Sequence, residues 1–165
     1  MSDTAASAAD FLLEQRGASR ELGAWVAGLA FGRDGGSLAF GLSDGTLRIA
    51  RPRAVAEEWA VAVAHDGAAC LSLCADARDG FLSGGDDGRL VRVAPDGTVE
   101  EVARLGAMRW VEHVAAHESG LRAAAVGKAL HLFDGGGAAV KVLSHASAGG
   151  GMAFDARGRR GAASH

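Results

Sequence analysis

The chain has 165 residues, 48% of them hydrophobic, with a net charge of −3 and a pI near 6.0. That is enough for one domain with a real core, and it argues against a nucleic-acid binder, which usually carries a basic excess or a basic stripe. Two cysteines, Cys70 and Cys74, are too few for a disulfide framework, and no apolar run approaches the roughly 18 residues of a membrane-spanning helix.

Residues 1–20 differ in character from the rest. Ser2–Ala9 is small and polar. Ala8–Gln15 has a short helical pattern with Asp10 as its N-cap. Its apolar stretch, Phe11-Leu12-Leu13, is too short for a secretory signal core and runs into Glu14 and Arg16. A cytoplasmic protein with no membrane partner is the resulting expectation.

From residue 21 onward the chain repeats itself. Three segments align without gaps: Leu38–Arg51, Phe81–Ala94 and Leu121–Asp134. A fourth copy would begin at Gly161, preceded by Met152–Gly158, which parallels Leu29–Gly35. A period of about 40–45 residues is that of a four-stranded propeller blade. The units run over 24–63, 64–104, 105–144 and, incompletely, 145–165.

Within the second unit the pattern predicts strands near Ala69–Cys74, Gly80–Gly84, Arg89–Ala94 and Thr98–Ala103. Asp44-Gly45 and Asp87-Gly88 stand between apolar runs, and Asp96-Gly97 and Asp134-Gly135 do so one turn later. This pair suits tight turns, because Gly takes a positive φ without a Cβ clash and Asp tolerates it. Strand Thr46–Ala50 alternates, with Leu47 and Ile49 opposite Thr46 and Arg48, whereas Arg89–Val93 and Ala129–Phe133 are apolar on both faces. Arg92 breaks that pattern. It must reach solvent, a channel or an acidic partner, since an unpaired buried charge is costly.

The pattern resembles the WD-repeat, whose blade carries a Gly-His dipeptide, a Ser/Thr on the second strand, an Asp in the next turn and a Trp-Asp ending the third strand. His65, Ser83 and Asp87 match the first three in the second unit. Asp44 keeps the turn acid of the first unit, and His145 keeps the histidine of the fourth. Phe133-Asp134 is a version of the Trp-Asp pair. The other units carry Ala50-Arg51 and Val93-Ala94 there, and the third has Leu105 and Gly127 in place of the histidine and turn acid. The resemblance implies an all-β β-propeller, about three and a half blades of a seven-bladed ring. In it His65, Ser83, Asp87 and their counterparts tie each blade together through hydrogen bonds. It also implies a non-catalytic scaffold that binds protein partners. Arg20–Leu22 would be the strand that closes the ring. A ring of seven such units needs roughly 290 residues, so the chain is expected to be the N-terminal piece of a longer protein. If it is full length, two copies would form one ring as a homodimer.

Other candidate chemistry is weaker than this frame. Gly41-Leu-Ser43-Asp-Gly45 has the spelling of a nucleophile elbow, but that elbow needs a helix after it and Thr46–Ala50 reads as strand. His113 and His117 would share a helix face, yet on a strand they stand about 13 Å apart, too far for one metal ion. The Cys70/Cys74 spacing fits neither a zinc nor a redox motif. Gly135–Gly137 and Gly149–Gly151 lack the Lys-Ser/Thr and helix of a phosphate loop. No catalytic, cofactor-binding or metal set is therefore assigned. Gly28, Leu71 and Val114, at the starts of inner strands, offer no converging polar groups for an enzyme or small-molecule binder working through a central channel. In that alternative the chemistry would come from outside these residues. Trp25, Trp59 and Trp110 are expected in cores or blade interfaces, with a rim role open to Trp25 and Trp110.

Overall fold

The structure is a computed structural model that describes residues 19–106 and 109–164. It is all-β in these residues. The first sheet contains β1 (Val26–Phe31), β2 (Leu38–Leu42), β3 (Thr46–Ala50) and β4 (Ala60–Val63). The second contains β5 (Cys70–Ala75), β6 (Phe81–Gly85), β7 (Arg89–Val93) and β8 (Val99–Arg104). The third contains β9 (His113–Ala116), β10 (Arg122–Val126), β11 (Ala129–Phe133) and β12 (Ala139–Ser144), and a hairpin of β13 (Gly151–Phe154) and β14 (Gly161–Ser164) follows. Each four-stranded sheet is an antiparallel meander whose spatial order follows the chain, and no sheet closes on itself. The strands expected in the second unit fall within one residue of those observed.

The turns show why the chain folds back where it does. In the β2–β3 turn Asp44 accepts from the Thr46 amide at 2.9 Å and from its hydroxyl at 2.7 Å. In the equivalent β6–β7 turn Asp87 accepts from the Arg89 amide at 2.9 Å. Gly45 has φ 79° and sits where a side chain would strike the His65 carbonyl, so the position needs glycine twice over. The carbonyl of Gly45 takes the amides of Ala64 and His65, tying the first sheet's turn to the segment that enters the second. Gly88 takes Leu105 N–H in the same way, and Lys128 takes that of His145. The repeat is thus visible in backbone hydrogen bonds as well as in spelling.

Successive sheets stack, with first strands side by side: β1 against β5, β5 against β9, β9 against β13. Alternation along β6 shares its side chains between two cores. Phe81 packs with Leu47, Ile49 and Val93, and Leu82 packs with Leu90, Val111 and Phe133. A third, smaller cluster joins Ala115, Ala123 and Leu130 to Met152 and Phe154 of the hairpin. Close approach is made possible by small residues, since Gly41 lies under Cys70 and Leu73. Among the described residues the first sheet has a neighbour on one face only, and Leu29, Phe31 and Val61 stand exposed on the other.

Two expectations concern the residues before β1. Arg20–Leu22 forms no strand; no described strand lies beside it to accept a ladder, and Arg20 instead lies over the Trp59 ring at 4.6 Å. The helix expected at Ala8–Gln15 lies outside the described residues. Among the described residues no helix is long and apolar enough to cross a membrane.

Candidate functional site

Two polar clusters occupy opposite ends of the second sheet. The first is built on His65, which the Gly45 carbonyl holds in place just before β5. Its Nδ1 lies 3.1 Å and 3.2 Å from the two carboxylate oxygens of Asp87, and its Nε2 lies 2.9 Å from Ser83 Oγ. Ser83 Oγ is in turn 3.3 Å from Cys70 Sγ. The carboxylate can only accept, which assigns the ring proton to Nδ1 and leaves Nε2 to accept from the Ser83 hydroxyl. The Cys70 S–H is then shared between Ser83 Oγ and the Ser72 carbonyl, which lies 3.6 Å from the sulfur. Burial pushes the His65 pKa down, outweighing the upward pull of Asp87, and burial pushes the Cys70 thiol up. Both groups therefore stay neutral near pH 7, as a chain of this polarity requires. Gly85 on β6 makes room, because a Cβ there would collide with the imidazole.

The sequence hydroxyl, imidazole, carboxylate is that of a Ser-His-Asp relay. Its setting is not. His65 and Ser83 are both 0% exposed, and the hydroxyl faces a buried thiol. A nucleophile needs a reacting carbon about 3 Å away with donors aimed at the developing charge, and this oxygen faces packed protein. The geometry ties the β5 entry, β6 and the β6–β7 turn together.

The second cluster centres on Asp76, just past β5, whose side chain is wholly buried. Arg122 of the third sheet grips it with Nε at 2.7 Å and Nη2 at 2.8 Å, a paired contact that matches guanidinium to carboxylate. Arg92 on β7 adds a contact at 3.1 Å, and also binds Asp79 at 2.6 Å. Arg33, from the β1–β2 loop, donates to the Asp76 carbonyl at 2.7 Å and to the Ala116 carbonyl. One arginine thus touches all three sheets. Burial would raise the Asp76 pKa, but hydrogen bonds from Arg122 and the Ala77 amide, with the charges of Arg122 and Arg92, hold it below the usual carboxylate range. Next to this cluster is a polar cleft of about 330 Å³ lined by Arg78, Asp79, Glu100 and Gly135–Gly137 among others.

Sequence reasoning left Arg92 to solvent, a channel or an acidic partner, and missed Asp76, Arg122 and Arg33. The gapless alignment sets Leu121 opposite Phe81 and Leu38, whereas the observed register, with a β10–β11 turn one residue shorter, puts Arg122 in that place. An arginine in a core position demands a buried acid nearby.

The remaining candidates resolve individually. Asp44 and Asp134 serve their own turns; Asp134 accepts from the Gly136 and Ala138 amides, both at 2.9 Å, and Phe133 packs in the second core. His145 repeats the backbone contact of His65, giving its amide to Lys128 at 2.9 Å. Ser43 exchanges hydrogen bonds with the Trp25 backbone and is followed by strand, without an elbow. His113 faces the Gly149 carbonyl, while His117 faces Ser119 and the Ala156 carbonyl, so they share no ligand position. Burial drives the Cys74 thiol up to about 12, leaving it without thiolate character. Trp59 stacks on Phe40 with centroids 5.4 Å apart, but Trp25 and Trp110 are 85% and 60% exposed. No protein-family model matches this chain, and neither does any curated protein.

Proposed function

We propose that the three sheets and the hairpin are successive blades of a propeller of the WD-repeat kind, and that the chain works as a non-catalytic platform for protein partners. The observation that carries this reading is the inward use of its chemistry. Among the described residues the trio with catalytic order, Ser83, His65 and Asp87, has its hydroxyl and imidazole buried and spent on holding strands together. A tandem of stacked sheets presents its turns at two ends on a rigid frame, where binding specificity resides. Fold-level likeness to a family of platforms supports the same reading.

The test separates stability from turnover. Ser83→Ala should lower the melting temperature while capture of partners from host extract by the full-length protein is unchanged below that temperature. Loss of a hydrolytic turnover in Ser83→Ala at unchanged melting temperature would overturn the reading.

A further inference from the structure

The clearest sign of an unassigned surface is the treatment of Trp25 and Trp110. Both stand just before the first strand of a sheet, the first sheet for Trp25 and the third for Trp110, and hence at the same end of the stack. Both indoles are in water, at 85% and 60% exposure, although each would bury large apolar area if packed. Their backbones are nevertheless fixed. Trp25 N–H donates to Ser43 Oγ at 3.2 Å and its carbonyl takes the Ser43 amide at 2.9 Å. Trp110 is followed by Val111, which is wholly buried, donates to the Gly85 carbonyl at 3.0 Å and accepts from Ser72 Oγ at 3.0 Å.

Between them the second sheet repeats the arrangement with a small residue. Ala69 exchanges hydrogen bonds with Asp86 as Trp25 does with Ser43. The order along this end is therefore tryptophan, alanine, tryptophan: two exposed indoles flanking a low floor. Packed sheets lie about 10 Å apart, so the indoles stand about 20 Å apart, the span of about six extended residues. Acidic and basic side chains both stand at this end, where Lys128 is exposed in the β10–β11 turn. Asp44 and Asp66 are exposed and Asp86 is half-buried beside Ala69. Arg109 is the exposed cation next to Trp110.

We infer that this end is a docking trough for an extended, arginine- or lysine-bearing segment of a partner protein. Cationic side chains would lie on the indole faces and their charges would be met by Asp44, Asp66 and Asp86. The molecule already shows the pairing once, where the Arg20 guanidinium lies 4.6 Å from the centre of the Trp59 ring. Rigid aromatic anchors lose little entropy on binding, which favours such a site. The inference rests on the platform reading and adds to it a surface and a partner chemistry.

The test uses the full chain and a short fluorescein-labelled peptide alternating arginine and alanine, with its glutamate counterpart, read by anisotropy at two salt concentrations. The arginine peptide should bind, weaken with salt, and outbind the glutamate peptide by at least about tenfold. Trp25→Ala and Trp110→Ala should each weaken it about tenfold. Asp66→Asn should weaken it less and flatten its salt dependence, whereas Glu118→Gln, at the opposite end, should leave it unchanged. All these side chains are exposed, so melting temperatures should not move. Equal binding of the two peptides, or binding indifferent to both tryptophans, overturns the inference, as does concentration-dependent self-association that Trp25→Ala abolishes. If the peptide fails to bind but partner capture survives in the doubly substituted chain, the platform reading stands and the trough falls. If the unsubstituted chain captures no partner either, both fall.

Discussion

The two ends of the second sheet are tied by networks of opposite electrostatic kind. At the β6–β7 end a neutral imidazole passes hydrogen bonds from Ser83 to Asp87, all within one sheet and its entering segment. At the β5–β6 end a buried carboxylate holds two guanidiniums, one from its own sheet and one from the next. The first network shapes a sheet; the second joins sheets. Their energetics differ accordingly. Neutral hydrogen bonds in a closed chain are each worth about 1 kcal/mol net. A buried ion pair is worth little against an apolar replacement of the same volume, yet losing one partner strands a charge at a cost of about 3–5 kcal/mol.

The largest effect expected is therefore at Asp76. Asp76→Ala leaves Arg122, only 6% exposed, without its counterion. It should cost about 3–5 kcal/mol in urea denaturation. Adding Arg122→Met, which restores the apolar character this position has in the other sheets, should recover most of the loss. If the double substitution is no better than Asp76→Ala alone, the cluster does not act as a charge pair and the contrast between the two ends fails. Ser83→Ala comes next. It leaves His65 Nε2 buried without its donor and should cost about 1–3 kcal/mol, with faster amide exchange on β6 and in the β6–β7 turn but not on β10.

Arg33→Ala should cost least of the three, about 1 kcal/mol, because part of its contact is exposed. Its signature is cooperativity. Arg33 reaches from the first sheet to the backbone of the second and third, so its removal should split amide-exchange protection of the first sheet from that of the third. Uniform weakening across all sheets would show that stacking alone couples them.

The difference between the two ends also explains what the sequence made legible. The His65 network depends on residue types at fixed offsets inside one repeat, and a repeated spelling exposes it. The hairpins were legible for the same reason, since Asp-Gly chemistry is local: Asp44 and Asp87 occupy equivalent turns, and strand ends fall within a residue. Asp76 sits in Ala75-Asp-Ala-Arg-Asp79, which reads as an ordinary solvated turn. Its partners lie 16 and 46 residues away, and no repeat spelling brings them together. Arg92 announced a need for solvent, a channel or an acid, and the folded chain supplied Asp76 and Asp79. Likewise Asp44 and Asp134 matched family positions yet serve only their turns, as a position in a motif becomes a network only where its partner side chains are also present. The exposed tryptophans were open to either reading because burial depends on what the neighbouring sheet presents, and here it presents alanine.

A pH titration sharpens the comparison without any substitution. The folded His65 has a pKa below its free value of 6.5, because burial disfavours the imidazolium. The unfolded chain therefore binds the proton more readily, and stability rises with pH wherever the two states differ in protonation. The contribution of His65 is full above pH 6.5 and is lost as pH falls through the folded pKa. The folded Asp76 lies below its free value of 3.8, so its contribution is full above that pH and is lost only as pH falls through its own folded pKa. Between these two windows the neutral tie loosens while the ionic tie holds. Amide exchange near pH 5 should accordingly show weaker protection at the β6–β7 turn than at the β5–β6 end, by comparison with pH 7.5. The loss can be no steeper than one proton allows, about 1.4 kcal/mol per pH unit. Ser83→Ala, which removes the hydrogen bond favouring a neutral Nε2, should shift this transition upward, and Arg33→Ala should leave it in place. A transition that moved with Arg33→Ala would mean that the two ends are not separate devices but one.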